Sequence, residues 1–173
     1  AAPLYSGDAD RIGTAAGVQV QVPVGARDIA LAGADLSNTY GLNAIFWNPA
    51  GIIHVEKFGL AGAVTQWPAD IYISSAAVVY NLGSLGSLGA SFSMMSTGLM
   101  NITTVGYPYG NSGTFEVGDW VVGLTYARAM TDRFGVGVTF KLITENLGDF
   151  ETMNLGTFKE QVWAVDIGST YNT

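Results

Sequence analysis

His54 is the only histidine in the chain and cysteine is absent, which removes multi-histidine metal sites, thiolate zinc sites and a cysteine nucleophile. A hydrolytic constellation built on His54 and Glu56 would need an activated serine of the Gly-x-Ser-x-Gly kind, and no such motif occurs. His54 therefore reads as a solvated or hydrogen-bonded residue beside a turn. The glycines between Gly83 and Gly89 have phosphate-loop spacing, but no lysine accompanies them and no helix is expected to follow. Five carboxylates, Glu116, Asp119, Glu145, Asp149 and Glu151, fall in or near two long connections. They lack the ligand order of a calcium loop and read as solvated charge. The residues thus lead to a non-enzymatic protein without a cofactor or metal.

Composition sets what must hold these residues. In 173 residues only 12% are charged, 23 are glycine and the net charge is -7; soluble domains carry about 25% charged residues. The seven basic residues are scattered, so the basic face that nucleic acid requires is missing. The Ala1-Ala2-Pro3 start has the small-residue character left by export cleavage and reads as a mature N-terminus. From Ile71 to Phe115 there is no charge, but turn-rich clusters at 81–87 and 106–113 break any long apolar helix.

Period-two alternation fills the rest. Phe58, Leu60 and Val64 alternate with small or polar residues, as do Leu88, Ala90, Phe92 and Met94, then Trp120, Val122, Leu124 and Tyr126. Phe134, Val136, Val138 and Phe140, and finally Trp163, Val165 and Ile167, continue the rule. The run 71–82 is apolar on both parities, which leaves its facing open. The second face is Gly, Ser, Ala and Thr rather than the charged surface of a soluble sandwich, and it suits the lumen of an antiparallel transmembrane β-barrel. Lys57, Lys141 and Asp166 have that inward parity and are candidate lumen charges. Tight joins at 81–86 and 131–133 alternate with long ones at 97–118 and 147–160, as inner turns alternate with outer loops. This orientation puts Trp67, Trp120 and Trp163 at outer strand ends and Tyr80, Tyr126, Phe134 and Tyr171 at inner ends, two aromatic belts. The loop at 97–118 carries Met100, Tyr107, Tyr109 and Phe115, an apolar set fit for outer-loop recognition.

The most specific text precedes the first clear strand. Gly25-Ala26-Arg27-Asp28-Ile29-Ala30-Leu31-Ala32-Gly33-Ala34 is followed by Asn43-Ala44-Ile45-Phe46-Trp47-Asn48-Pro49-Ala50-Gly51-Ile52. The pair resembles the N-terminal signature of the PorV/PorQ family of outer-membrane barrels, relatives of the FadL-type channels, over residues 12 to 53. Members of that family are longer, so the resemblance implies the N-terminal half of a barrel. It also implies a division into residues 1–53, a plug or first strand with a turn at Asn48, Pro49, Ala50 and Gly51, and residues 54–173, the barrel strands. The turn itself follows from residue chemistry: Pro fixes φ, Gly permits positive φ, and Asn bonds nearby backbone.

The resemblance implies a bacterial outer-membrane protein that docks or carries partner proteins of a type IX secretion or surface-attachment system. A FadL-like conduit for hydrophobic small molecules is the second reading. A secreted, soluble β-sandwich serving as a binding or assembly module is the third. The partners expected are the lipid bilayer and other membrane or secreted proteins.

Overall fold

The computed structural model describes residues 20, 22, 24–32, 34, 36, 38–103, 105–106, 108–109, 113–149 and 157–172. Six strands, β1 (Phe58–Trp67), β2 (Ile71–Asn81), β3 (Ser87–Asn101), β4 (Thr114–Ala129), β5 (Phe134–Asp149) and β6 (Thr157–Tyr171), follow helical turns. They form one antiparallel sheet in sequence order, with β1 and β6 as its edges. The fold is all-β apart from the short helices, and this sheet is not closed into a barrel. Among the described residues no strand precedes β1, and no helix is long and apolar enough to cross a membrane.

Register explains why the alternation is so regular. Phe58, Tyr80, Leu88, Tyr126, Val138 and Ile167 stand in one row across all six strands, and Leu60, Val78, Ala90, Leu124, Phe140 and Val165 stand in another. A slip of one residue in any strand would turn its large side chains to the opposite face. The other face carries rows such as Ala61, Ala77, Ser91, Gly123, Lys141 and Ala164. β2 follows the rule its sequence left open: Ile73, Ala77 and Val79 are buried on the small-residue face, and Tyr72 and Tyr80 are exposed on the large-residue face.

Local chemistry closes the turns. Ala69 and Asp70 both take positive φ, 66° and 57°, in the three-residue connection between paired Trp67 and Ile71. At the next join the Asn81 side chain accepts the Gly83 N–H at 2.8 Å, and Gly83 and Gly86 take positive φ. A bulge between Ser96 and Leu99 in β3 is sealed by Thr97, whose Oγ1 donates to the Val117 carbonyl at 3.0 Å. The extra residue reverses the facing of β3 beyond it, so Leu99 joins the exposed apolar face.

The long strands shorten the loops expected from the sequence. β3 runs to Asn101 and β4 begins at Thr114, so Met100 and Phe115 are not loop residues. They pair across the two strands and are half-buried. Likewise Trp120 and Trp163 stand inside β4 and β6 rather than at their ends, because polar residues such as Glu116 and Lys159 continue the ladder beyond them. Sixteen residues in β4 reach about 50 Å at strand rise.

The segment before β1 lies on the small-residue face. α1 (Ala26–Ala30) starts at Gly25, whose φ is 99°. α2 (Ala44–Trp47) and a 3-10 helix (Pro49–His54) then contact the sheet, the latter touching β3, β4, β5 and β6. Ala44, Ile45, Ile52 and Val55 of the segment form a buried core with Ala77, Val79 and Ala127 of the sheet. The approach is close because glycines lie beneath it. A Cβ on Gly137 would sit 2.5 Å from the Pro49 carbonyl carbon and 2.6 Å from the Ala50 nitrogen, and one on Gly168 would strike the Asn48 side-chain oxygen. Gly137→Ala should therefore cost about 1–3 kcal/mol by overpacking and speed proteolysis within 36–47. Gly62→Ala, whose Cβ would meet nothing closer than 3.6 Å, should be nearly neutral. Urea unfolding and limited proteolysis of both variants check this.

Candidate functional site

The Asn48-Pro49-Ala50-Gly51 turn anchors the site. Asn48 is extended and its Oδ1 accepts the Ala50 N–H at 3.2 Å, capping the 3-10 helix with Pro49 in the first turn. Its Nδ2 donates to the Ser169 carbonyl of β6 at 3.2 Å and to the Leu36 carbonyl at 3.4 Å. One buried amide thus ties the helical segment to the sheet and to the chain ahead of it. Gly51 serves differently from the sequence expectation. Its φ is not positive; instead a Cβ there would press on the Thr39 carbonyl oxygen and come within 2.5 Å of the Ala44 Cβ. Steric room, not backbone freedom, is what this position needs.

Above that anchor, a cavity of about 220 Å³ lies between the segment and the inner face of β2 to β5. Val20, Val22, Val24, Phe46 and Trp47 contribute its roof. The Trp47 indole N–H donates to the Val24 carbonyl at 3.0 Å, which pins the roof's two parts together. Ile73, Met95 and Val121 line it from the sheet, and its polar lining is Ser91, Ser93, Asp119 and Lys141. An apolar chamber with a few placed polar groups is the usual form of a small-molecule site.

Of the three expected lumen charges the structure brings two together. Lys141 Nζ and the Asp166 carboxylate pair at 2.5 Å, the lysine side chain 12% exposed and the aspartate 44%. Beside them Thr125 and Thr139 share a hydrogen bond of 2.8 Å. Lys57 stands apart, exposed, just ahead of β1. The carboxylates read as loop charge are placed otherwise. Glu116, Asp119 and Glu145 are strand residues, and Asp119 is only 7% exposed, accepting the Asn146 N–H at 3.3 Å on the inner face. The side chain of Asp149 and the whole of Glu151 lie outside the described residues. The large apolar alternation of β4 starts at Trp120 and hides Asp119; carried back one residue, it gives Asp119 the parity of Val121 and Gly123.

The aromatic and loop residues divide. Tyr80, Tyr126, Phe134 and Tyr171 are exposed near the ends of their strands at the tight-turn edge of the sheet. The Tyr126 hydroxyl donates to the Leu85 carbonyl of the β2–β3 turn at 2.7 Å. Trp163 is exposed on the large-residue face, but Trp67 has the parity of Ala63 and Thr65, the small-residue face, at the rim. The alternation of β1 decides its side, not its place at the strand end. Tyr109 is 98% exposed in the β3–β4 connection, and Tyr107 lies outside the described residues. His54 ends the 3-10 helix with its ring edge-on to Tyr40 at 4.9 Å.

The chain has no cysteine, so single cysteines report exposure without background. Asp119→Cys should react with a bulky water-soluble maleimide at least about tenfold more slowly than Glu116→Cys, as reactivity follows access. Equal rates would place Asp119 outside the cavity wall. No family model matches the chain, and neither the curated proteins nor the solved structures give a match.

Proposed function

We propose that this chain is part of the wall of a PorV/PorQ-like bacterial outer-membrane β-barrel that docks or carries partner proteins without catalysing a reaction. The observation that carries the reading is the exposed large-residue face. Leu60, Leu124 and Ile167 are 71%, 63% and 83% exposed on neighbouring register rows of one face. Water penalises a contiguous apolar surface of that kind, whereas hydrocarbon accepts it. The small-residue face turned toward the helical segment is the lumen, and that segment is its plug. Strand edges cannot stand unpaired in lipid, so β1 and β6 pair with further strands there. The upper parts of β3 to β6 rise beyond an apolar band of about 25 Å and carry the β3–β4 connection, where Tyr109 offers an aromatic contact to a partner.

The cavity beneath Trp47 favours a second reading, a FadL-like conduit or holding site for hydrophobic small molecules.

Leu124→Arg separates membrane from water. In a bilayer it should cost about 2–4 kcal/mol, read from folding titrations out of urea into lipid vesicles. On a soluble sandwich an arginine at so exposed a position would change stability by no more than about 0.5 kcal/mol, and that result would end the barrel reading. Replacing 104–112 with a short Gly-Ser turn tests docking. The fold and its heat-modifiable gel mobility should persist while partner co-purification is lost; unchanged partner recovery with reduced uptake of a hydrophobic solute would select the conduit instead.

A further inference from the structure

The cavity's charges are not equivalent. Lys141 is neutralised by Asp166 in a close ion pair, so it offers little to an anionic guest. Asp119 is buried in the cavity wall, with the Asn146 backbone N–H as its neutral donor. Its register neighbours on β5 and β6 are Glu145 and Glu160, so the row that borders the chamber is acidic. Among the described residues the Asn146 amide donates to Asp119, weak compensation for a buried carboxylate, so the wall repels an anion and attracts a cation. The roof adds Phe46 and Trp47, whose ring faces suit a cation or an aryl group.

We infer that this cavity binds a small apolar amine, its ammonium on Asp119 and its hydrocarbon among Val22, Val24, Phe46 and Trp47. Size sets the class. A cavity of about 150 Å³ holds one benzene, so about 220 Å³ takes a ring with a short aminoalkyl arm. The inference deepens the conduit reading and rests on it for the ligand's passage only, since the binding chemistry is complete within the cavity.

Three probes of one shape test the charge logic by titration calorimetry on the protein in lipid nanodiscs: 2-phenylethylamine, neutral 2-phenylethanol and anionic 3-phenylpropanoate. The amine should bind at least about tenfold tighter than either of the others, the margin of a charge-assisted hydrogen bond. Asp119→Asn keeps the shape and the acceptor for the Asn146 N–H, and it should erase that margin while leaving phenylethanol within about threefold. Ser93→Met fills the chamber and should weaken all three probes together with the gel mobility unchanged. Equal or tighter binding of the propanoate overturns the inference on the unsubstituted protein alone. Amine binding indifferent to Asp119→Asn or to Ser93→Met overturns it as well. Amine binding without measurable uptake upholds the site and removes the conduit reading.

Discussion

The contact on which the rest depends is a close approach over two glycines: the Pro49 and Ala50 backbone rests on Gly137, and the Asn48 and Pro49 side chains rest on Gly168. A side chain at either glycine would lift the helical segment off the sheet. With the segment lifted, Ile45 and Ile52 would lose the buried places they share with Val79 and Ala127. The single Asn48 amide, bonded to Ser169 and Leu36, holds the segment along the direction the glycines leave free. Close packing of this kind is unforgiving, because interiors have almost no slack to absorb an added methyl group.

From that contact the asymmetry of the sheet follows. A face built of Gly, Ala, Ser and Thr cannot bury enough apolar area by itself, so it takes its core from the segment laid over it. The opposite face concentrates Leu, Val, Phe, Tyr and Trp and has nothing over it among the described residues. An ordinary soluble sheet does the reverse, burying its large residues and exposing its polar ones. The inversion is a property of register, held by every ladder from β1 to β6, and it is the observation behind the proposal that the large face meets lipid.

Much of this was legible in the sequence because strand parity is a local property. The alternation of Trp120 to Tyr126 and of Phe134 to Phe140 gives the same faces that the register shows, and the Gly83 and Thr131 turns fall where polar and glycine residues cluster. Strand length was less legible. The pattern loses its large apolar members at Ser96 and Gly118, which marks strand ends by composition, although ladders continue through Met100–Phe115 and Glu145–Glu160. Backbone pairing needs no apolar side chain, and the bulge at Thr97 hides the continuation by reversing parity. Two further features were non-local. Nothing in Asn48 to Gly51 shows that Gly137 and Gly168 lie beneath, and the shared inward parity of Lys57, Lys141 and Asp166 allows them to pair without showing that Lys141 and Asp166 are the two that do.

The cavity is a consequence of the same geometry rather than an addition to it. Where the glycines let the 3-10 helix touch the sheet there is no space; farther along the strands the floor changes to Ser91, Ser93 and Val121, while Trp47 is held up by its bond to Val24. The two surfaces diverge and leave a chamber. Charges in that chamber must then be settled internally, because water has limited access and an uncompensated ion is costly there. Lys141 meets this demand with Asp166 on the adjoining strand. Among the described residues Asp119 meets it with the Asn146 amide, so the balance there is acidic, and the chemistry best matched to it is cationic at one end and apolar at the other.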